Sequence, residues 1–153
     1  MNSSILIIED SEEDYEAISG ALLRAGVPCS DLTHLHDGAE LSQFLRQSQE
    51  SDHTERPSVI LLDLNLPGGA NGHTILSEIR KDQQMGLVPV VIFSTSSAAR
   101  DINLAYECGA NSYMLKPMSL EEFDPLMAHF KAYWLETVVA CVTEPRRLQR
   151  PEF

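Results

Sequence analysis

Val59-Ile60-Leu61-Leu62-Asp63-Leu64-Asn65-Leu66-Pro67 opens with four consecutive apolar residues, meets a single acid and then reaches a proline. A short run that is apolar at every position reads as a strand buried on both faces, the situation of a parallel sheet covered by helices. Ile5-Leu6-Ile7-Ile8 before it and Val90-Val91-Ile92-Phe93 after it repeat the pattern. Asp31 to His36, with Leu32 and Leu35, is a weaker strand, and Ser112 to Leu115 a short final one. Helical segments lie between them. Ser11 caps a helix that runs to about Ala25, with Ala17, Ile18, Ala21, Leu22 and Ala25 on one face and Gly26 ending it. Leu41, Phe44 and Leu45 mark a short second helix, and the polar stretch Gln47 to Pro57 reads as a surface loop. Thr74 to Lys81 and Ala99 to Cys108 are the third and fourth helices, the latter stopped by Gly109. Five successive β-α units predict an α/β, doubly wound sheet with right-handed crossovers, and place function at the carboxyl ends of the strands.

The chain has 153 residues, 11 of them basic and 23 acidic, for a formal net charge of −12. That length suits one domain. The acidic balance argues against nucleic-acid binding, which needs clustered Lys and Arg. Cys29, Cys108 and Cys141 are widely spaced, so neither a disulfide framework nor a zinc site is expected, and a reducing cytoplasm is. No segment has the length or flanks of a signal peptide or membrane span.

The strand ends carry the chemistry. The first strand ends in Glu9-Asp10, the third in Asp63, the fourth in Ser94-Thr95 and the fifth in Lys116-Pro117. Each has an ordinary reading alone: a solvated lysine, a turn-capping serine, acids favoured at a helix start. Most of Glu12, Glu13, Asp14 and Glu16 are read in that way, as solvated helix face. Together, the strand-end residues put three carboxylates, a hydroxyl and an ammonium at one rim. Crowded carboxylates need a compensating cation, and one lysine does not suffice for three, so a hard divalent ion is expected. An Asp so placed can act as a nucleophile toward a phosphoryl group, with the ion, Lys116 and Ser94 neutralising its oxygens.

Ile-Ile-Glu9-Asp10, Leu-Leu-Asp63-Leu-Asn-Leu-Pro67, Phe-Ser94-Thr95, Gly109-Ala110 and Tyr113-Met-Leu-Lys116-Pro117 resemble the receiver domain of two-component response regulators over residues 5–117, with helical pattern to about 135. The resemblance implies a flavodoxin-like receiver fold: a five-stranded parallel sheet in the order 2-1-3-4-5 with five helices. It implies Asp63 as phosphoacceptor, and Mg²⁺ as cofactor on Asp10, Asp63 and the backbone carbonyl of Asn65, with Glu9 acting through water. Lys116 is the implied phosphoryl partner, Ser94 the switch hydroxyl, Tyr113 the switch aromatic and Pro117 a cis-peptide site. Asn65 and Ser96 resemble positions that tune the phosphate's lifetime. Gly72, five residues after Pro67, departs from the usual spacing by one. The implied partner is a sensor histidine kinase, and the implied output passes through the face of the fourth helix, fifth strand and fifth helix.

The residues after the fifth strand predict an extended C-terminal helix. Asp124-Pro125 is its expected N-cap and N1, after a short turn, and an apolar run from Leu126 carries it to Val142. Met127, Phe130, Trp134, Val138 and Cys141 make one stripe, with Leu126, Tyr133, Leu135, Val139 and Val142 beside it. That apolar surplus predicts a homodimer interface through Phe130, Tyr133, Trp134, Val138 and Val142. Phe130-Lys-Ala-Tyr-Trp-Leu135 also resembles the final helix of single-domain regulators paired with phytochrome-type kinases, implying a bacteriophytochrome partner. Residues 1–135 are read as the phosphoacceptor domain and 136–153 as a helical extension and tail, with no room for a DNA-binding effector. Two alternatives carry weight: a phosphatase of the haloacid-dehalogenase type, disfavoured because Asn65 stands where its second Asp belongs, and a pseudo-receiver that takes no phosphate. His34 and His36 share a strand face, but with no third ligand near they read as surface or half-buried side chains.

Overall fold

The computed structural model describes residues 3–50, 56–64 and 72–141. Five parallel strands, β1 (Ile5–Ile8), β2 (Leu32–Leu35), β3 (Val59–Asp63), β4 (Val90–Ser94) and β5 (Ser112–Leu115), form one sheet in the order β2-β1-β3-β4-β5. The helices are α1 (Glu12–Arg24), α2 (Gly38–Glu50), α3 (Gly72–Lys81), α4 (Ala99–Glu107) and α5 (Phe123–Trp134). This is the expected doubly wound receiver fold.

Alternation along the central strands sorts the core into two layers. Ile5, Ile7, Val59, Leu61, Val91 and Phe93 face α1 and α5, meeting Ile18, Leu22, Phe123 and Met127. Leu6, Ile8, Ile60, Leu62, Val90 and Ile92 face α2, α3 and α4, meeting Leu41, Ile75, Leu76 and Ala105. The registers pair Ile8 with Leu62 and Asp63 with Phe93, so the residues just beyond these strands emerge together at one edge of the sheet.

Local chemistry sets the ends of the elements. The Ser11 hydroxyl accepts the Asp14 N–H at 3.2 Å and starts α1, as expected. Gly26 and Gly109, with φ near +99° and +104°, end α1 and α4 in the left-handed region where glycine is unstrained. At Gly72 a Cβ would stand 2.6 Å from the Leu64 Cα and 2.8 Å from the Asp63 carbonyl oxygen, so only glycine lets α3 start this close to the end of β3.

Four expectations are corrected. The second helix runs to Glu50, because Ser48 is buried and returns its hydroxyl to the Phe44 carbonyl; Gln47 to Glu50 are therefore helix, not loop. α5 begins at Phe123 out of a 3₁₀ turn over Leu120–Glu122, since Phe123 enters the core edge-on to Phe93 at 6.0 Å. Pro125 falls in the first helical turn, where it costs no hydrogen bond, and Asp124 pairs with Arg24 at 2.7 Å instead of capping. α5 stops at Trp134, not Val142. The Thr137 hydroxyl takes the Ala132 carbonyl at 2.6 Å, and the Val138 N–H turns back to the Tyr133 carbonyl at 2.8 Å. Finally, every peptide bond among the described residues is trans, including the one before Pro117, the ordinary state of an X–Pro bond.

Candidate phosphoacceptor site

Asp63 ends β3 almost fully buried, at 4% exposed, and Glu9 follows β1 at 1%. Asp10, next in the chain, is exposed. One carboxylate oxygen from each of the three lies within 4.8 Å of the others. Lys116, just past β5, completes the group. Its ammonium is 2.8 Å from Asp14, 3.0 Å from Glu9 and 3.4 Å from Asp63. Its backbone N–H donates to the Ser94 carbonyl at 2.8 Å, which ties the end of β5 to that of β4. Ser94 itself is fully buried, whereas Thr95 is exposed. Its Oγ accepts the Ser96 N–H at 3.1 Å, so its own O–H is left to donate. Tyr113 is half-buried and donates its hydroxyl to the Ser96 carbonyl at 2.7 Å.

Asp14 is the residue that the sequence reading missed. Read as solvated helix face, it makes the shortest contact to Lys116. Asn65 and Val142 lie outside the described residues.

The electrostatics are those of too many acids for one cation. Burial pushes the Glu9 carboxyl up to about 8, reinforced by its hydrogen bond with Asp63 and by the Asp63 charge, against the opposing pull of Lys116. The 3.0 Å contact with Lys116 suggests an ionised Glu9, yet desolvation and the like charge outweigh a lysine already shared with two other acids. For Lys116, burial alone would lower the pKa; the hydrogen bond to Asp14 and the charges of Asp63 and Glu9 hold it above the ordinary lysine value.

A stability consequence follows with definite sign. Between about 4.5 and about 8 the folded chain keeps the Glu9 proton that the unfolded chain has released. The unfolded state then binds fewer protons, so stability falls as pH rises through that window. Thermal melts in chelator-containing buffer will show this fall, and Glu9→Gln will flatten it. A wild-type curve with the same slope as Glu9→Gln would show that Glu9 is ionised throughout.

The donor set of Glu9, Asp10 and Asp63 is all carboxyl oxygen, and it holds more acid than the shared Lys116 ammonium balances. These features fit a hard divalent cation.

The remaining expected residues divide. Phe130, expected at a partner surface, is 2% exposed and packs in the core under α1 and α5, so it is corrected to a core residue. Tyr133 is 54% exposed and meets Trp134 edge-on at 5.0 Å. Trp134 and Val138 line a groove with Leu87 and Pro89 at the foot of the sheet, opposite the carboxylates. No helix among the described residues is long and apolar enough to cross a membrane.

Comparison with known proteins agrees with this geometry. Residues 5–127 match the model of the response regulator receiver domain. Response regulator Rcp1 of Synechocystis sp. is 34% identical over 134 residues, covering 88% of this chain and 90% of Rcp1. The phosphorylated cyanobacterial phytochrome response regulator RcpA superposes with a TM-score of 0.81 at 34% identity, over 92% of this chain and 99% of RcpA. The Mn²⁺-bound form of Rcp1 superposes with a TM-score of 0.78 at 33% identity, over 92% of this chain and 99% of that one. The match sets aside the haloacid-dehalogenase alternative. With the sheet order, the acid and lysine strand ends and the family model in agreement, the chain belongs to the response regulator receiver domain family.

Proposed function

We propose that this receiver takes a phosphoryl group onto Asp63 from a sensor histidine kinase of the phytochrome class, in a Mg²⁺-dependent reaction in the cytoplasm, and signals as a homodimer. The observation that carries the reading is the buried Asp63 carboxylate, with the Lys116 ammonium 3.4 Å away and Glu9 and Asp10 beside it. In the transfer, an Asp63 oxygen attacks the phosphorus of the kinase's phosphohistidine. A P–O bond forms, the P–N bond breaks, and the imidazole nitrogen leaves with the electron pair. Lys116 balances charge on the phosphoryl oxygens, and the Ser94 O–H donates to one of them. Asp10 and Asp63, with Glu9 and Asn65, would hold Mg²⁺, which would supply further positive charge at the phosphoryl oxygens. As Ser94 turns toward the phosphoryl group, the Ser96 contact and the Tyr113 hydroxyl resting on it are disturbed, coupling the site to β5.

The phytochrome class rests on similarity to Rcp1 and RcpA and on the Phe130-Lys-Ala-Tyr-Trp-Leu135 run. Residues 1–135 are the phosphoacceptor unit in this reading, and 136–153 an appendage.

The test uses a small acyl phosphate such as acetyl phosphate as donor. With Mg²⁺, the intact mass is expected to rise by one phosphoryl group, in a form cleaved by hydroxylamine, and beryllofluoride is expected to bind. No mass gain together with no beryllofluoride binding would make the chain a pseudo-receiver. The dimer has its own test: sedimentation of Tyr133→Glu is expected to give monomer, and a dimer of unchanged strength would remove the end of α5 from the interface.

A further inference from the structure

A second constellation lies beside the carboxylate site, between the first turn of α1 and the edge strand β2. One ligand atom from each of Glu12, His34 and His36 falls within 4.8 Å of the others. The sequence reading found no third ligand for the two histidines; α1 supplies it. We propose that Glu12, His34 and His36 bind a divalent transition-metal ion, with Zn²⁺ the best fit, at a site separate from the phosphoacceptor cluster.

The surroundings are those of a metal site. His34 Nε2 lies 2.7 Å from the Glu9 carbonyl oxygen. A carbonyl only accepts, so Nε2 carries the hydrogen and the lone pair sits on Nδ1, the atom His34 offers the ion. The ring is also clamped, stacked on Tyr15 at 3.7 Å with planes 7° apart. His36 Nδ1 lies 3.0 Å from Glu40, while Nε2 faces Glu12 at 2.7 Å. Glu40 is held in turn by the His36 N–H at 2.6 Å. Each imidazole thus has one nitrogen engaged by an outer oxygen, as in metal-bound histidines, whose orientation and basicity such partners set. Glu12 is exposed and can move aside from His36 to admit the ion.

The donors separate the two sites chemically. Two imidazoles and one carboxylate leave a fourth position for water in a tetrahedral Zn²⁺ shell. Imidazole favours Zn²⁺, Ni²⁺ and Cu²⁺, whereas the all-carboxylate cluster favours Mg²⁺ or Mn²⁺. The sites are nonetheless linked, since β2 holds the Glu9 peptide at both ends. His34 touches the Glu9 carbonyl, and the Glu9 N–H donates to the Leu35 carbonyl at 3.0 Å.

The test is titration of the full chain with Zn²⁺ under chelator competition, with Mg²⁺ in large excess to occupy the carboxylate cluster. One equivalent is expected to bind. NMR should shift the ring signals of His34 and His36, leaving those of His129 in place. Losing the outer partner, in Glu40→Gln, is expected to weaken binding roughly 10- to 100-fold, and His34→Gln or His36→Gln to weaken it further. Cys29→Ser is expected to change nothing. Equal affinity in wild type and both histidine variants, loss of binding in Cys29→Ser, or no Zn²⁺ uptake would each overturn the assignment. Unchanged Mg²⁺-dependent uptake of acetyl phosphate's phosphoryl group by His36→Gln reports that this variant is folded. That control also distinguishes failure here from failure of the proposed phosphoacceptor function.

Discussion

Asp63→Asn is expected to gain no mass on incubation with acetyl phosphate and Mg²⁺, under conditions that fully convert the wild type. An amide oxygen is a poor nucleophile, and none of the neighbouring acids replaces it. Glu9 holds its proton up to about 8 and is enclosed by Asp63, Lys116 and the Ser11 N–H. Asp14 is bound to Lys116 at 2.8 Å, and Asp10 is the exposed member of the set. The substitution also removes one of the charges that keep Glu9 protonated, so the fall in stability with rising pH should flatten as the phosphate uptake disappears. Two readouts, mass and melting temperature against pH, therefore move together. Wild-type mass gain in Asp63→Asn would place the nucleophile elsewhere.

Lys116→Met should have the largest effect on stability. The ammonium is the buried counter-ion of the Asp63 and Asp14 carboxylates and also contacts the Glu9 carboxyl, with its side chain 7% exposed. Removing one partner of a buried ion pair costs about 3–5 kcal/mol, because the other charges stay behind uncompensated. Denaturant unfolding in metal-free buffer at neutral pH should show a loss of that order. Acidification should reduce it, since protonated carboxyls no longer need the lysine, and Mg²⁺ should reduce it as well. Phosphate uptake should slow by roughly 10²- to 10³-fold, the usual cost of losing one preorganised charge partner. A loss below about 1 kcal/mol, the value of an exposed pair, would mean that water already screens the cluster.

Much of this was legible because two physical signals coincide. Ile5–Ile8, Val59–Asp63 and Val90–Ser94 are buried along their whole length, so apolar runs located them and the polar residue after each run located the site. What was not legible depends on contacts between distant elements. Nothing local separates Asp14 from Glu12, Glu13 or Glu16; the distinction arises because the first turn of α1 lies over the strand ends, giving Asp14 to Lys116 after β5 and Glu12 to His36 after β2. Nor does an apolar run say where a helix stops. Thr137 ends α5 through its hydroxyl, and the same helix gives Phe130 to the core while leaving Tyr133 outside.

An ammonium has three hydrogens, and Lys116 has three carboxyl groups around it: Asp14, Glu9 and Asp63. A phosphoryl group on Asp63 brings new acceptor oxygens and no new hydrogen, so one existing partner must be given up. Asp14, 39% exposed, can turn to water at least cost. Its departure would unfasten the first turn of α1, the helix that packs on α5 and whose C-cap carbonyl, that of Ala25, accepts from Lys131 of that helix. Arithmetic at one nitrogen thus gives the molecule a second route by which a phosphorylation event reaches its surface, on the side of the sheet away from α3.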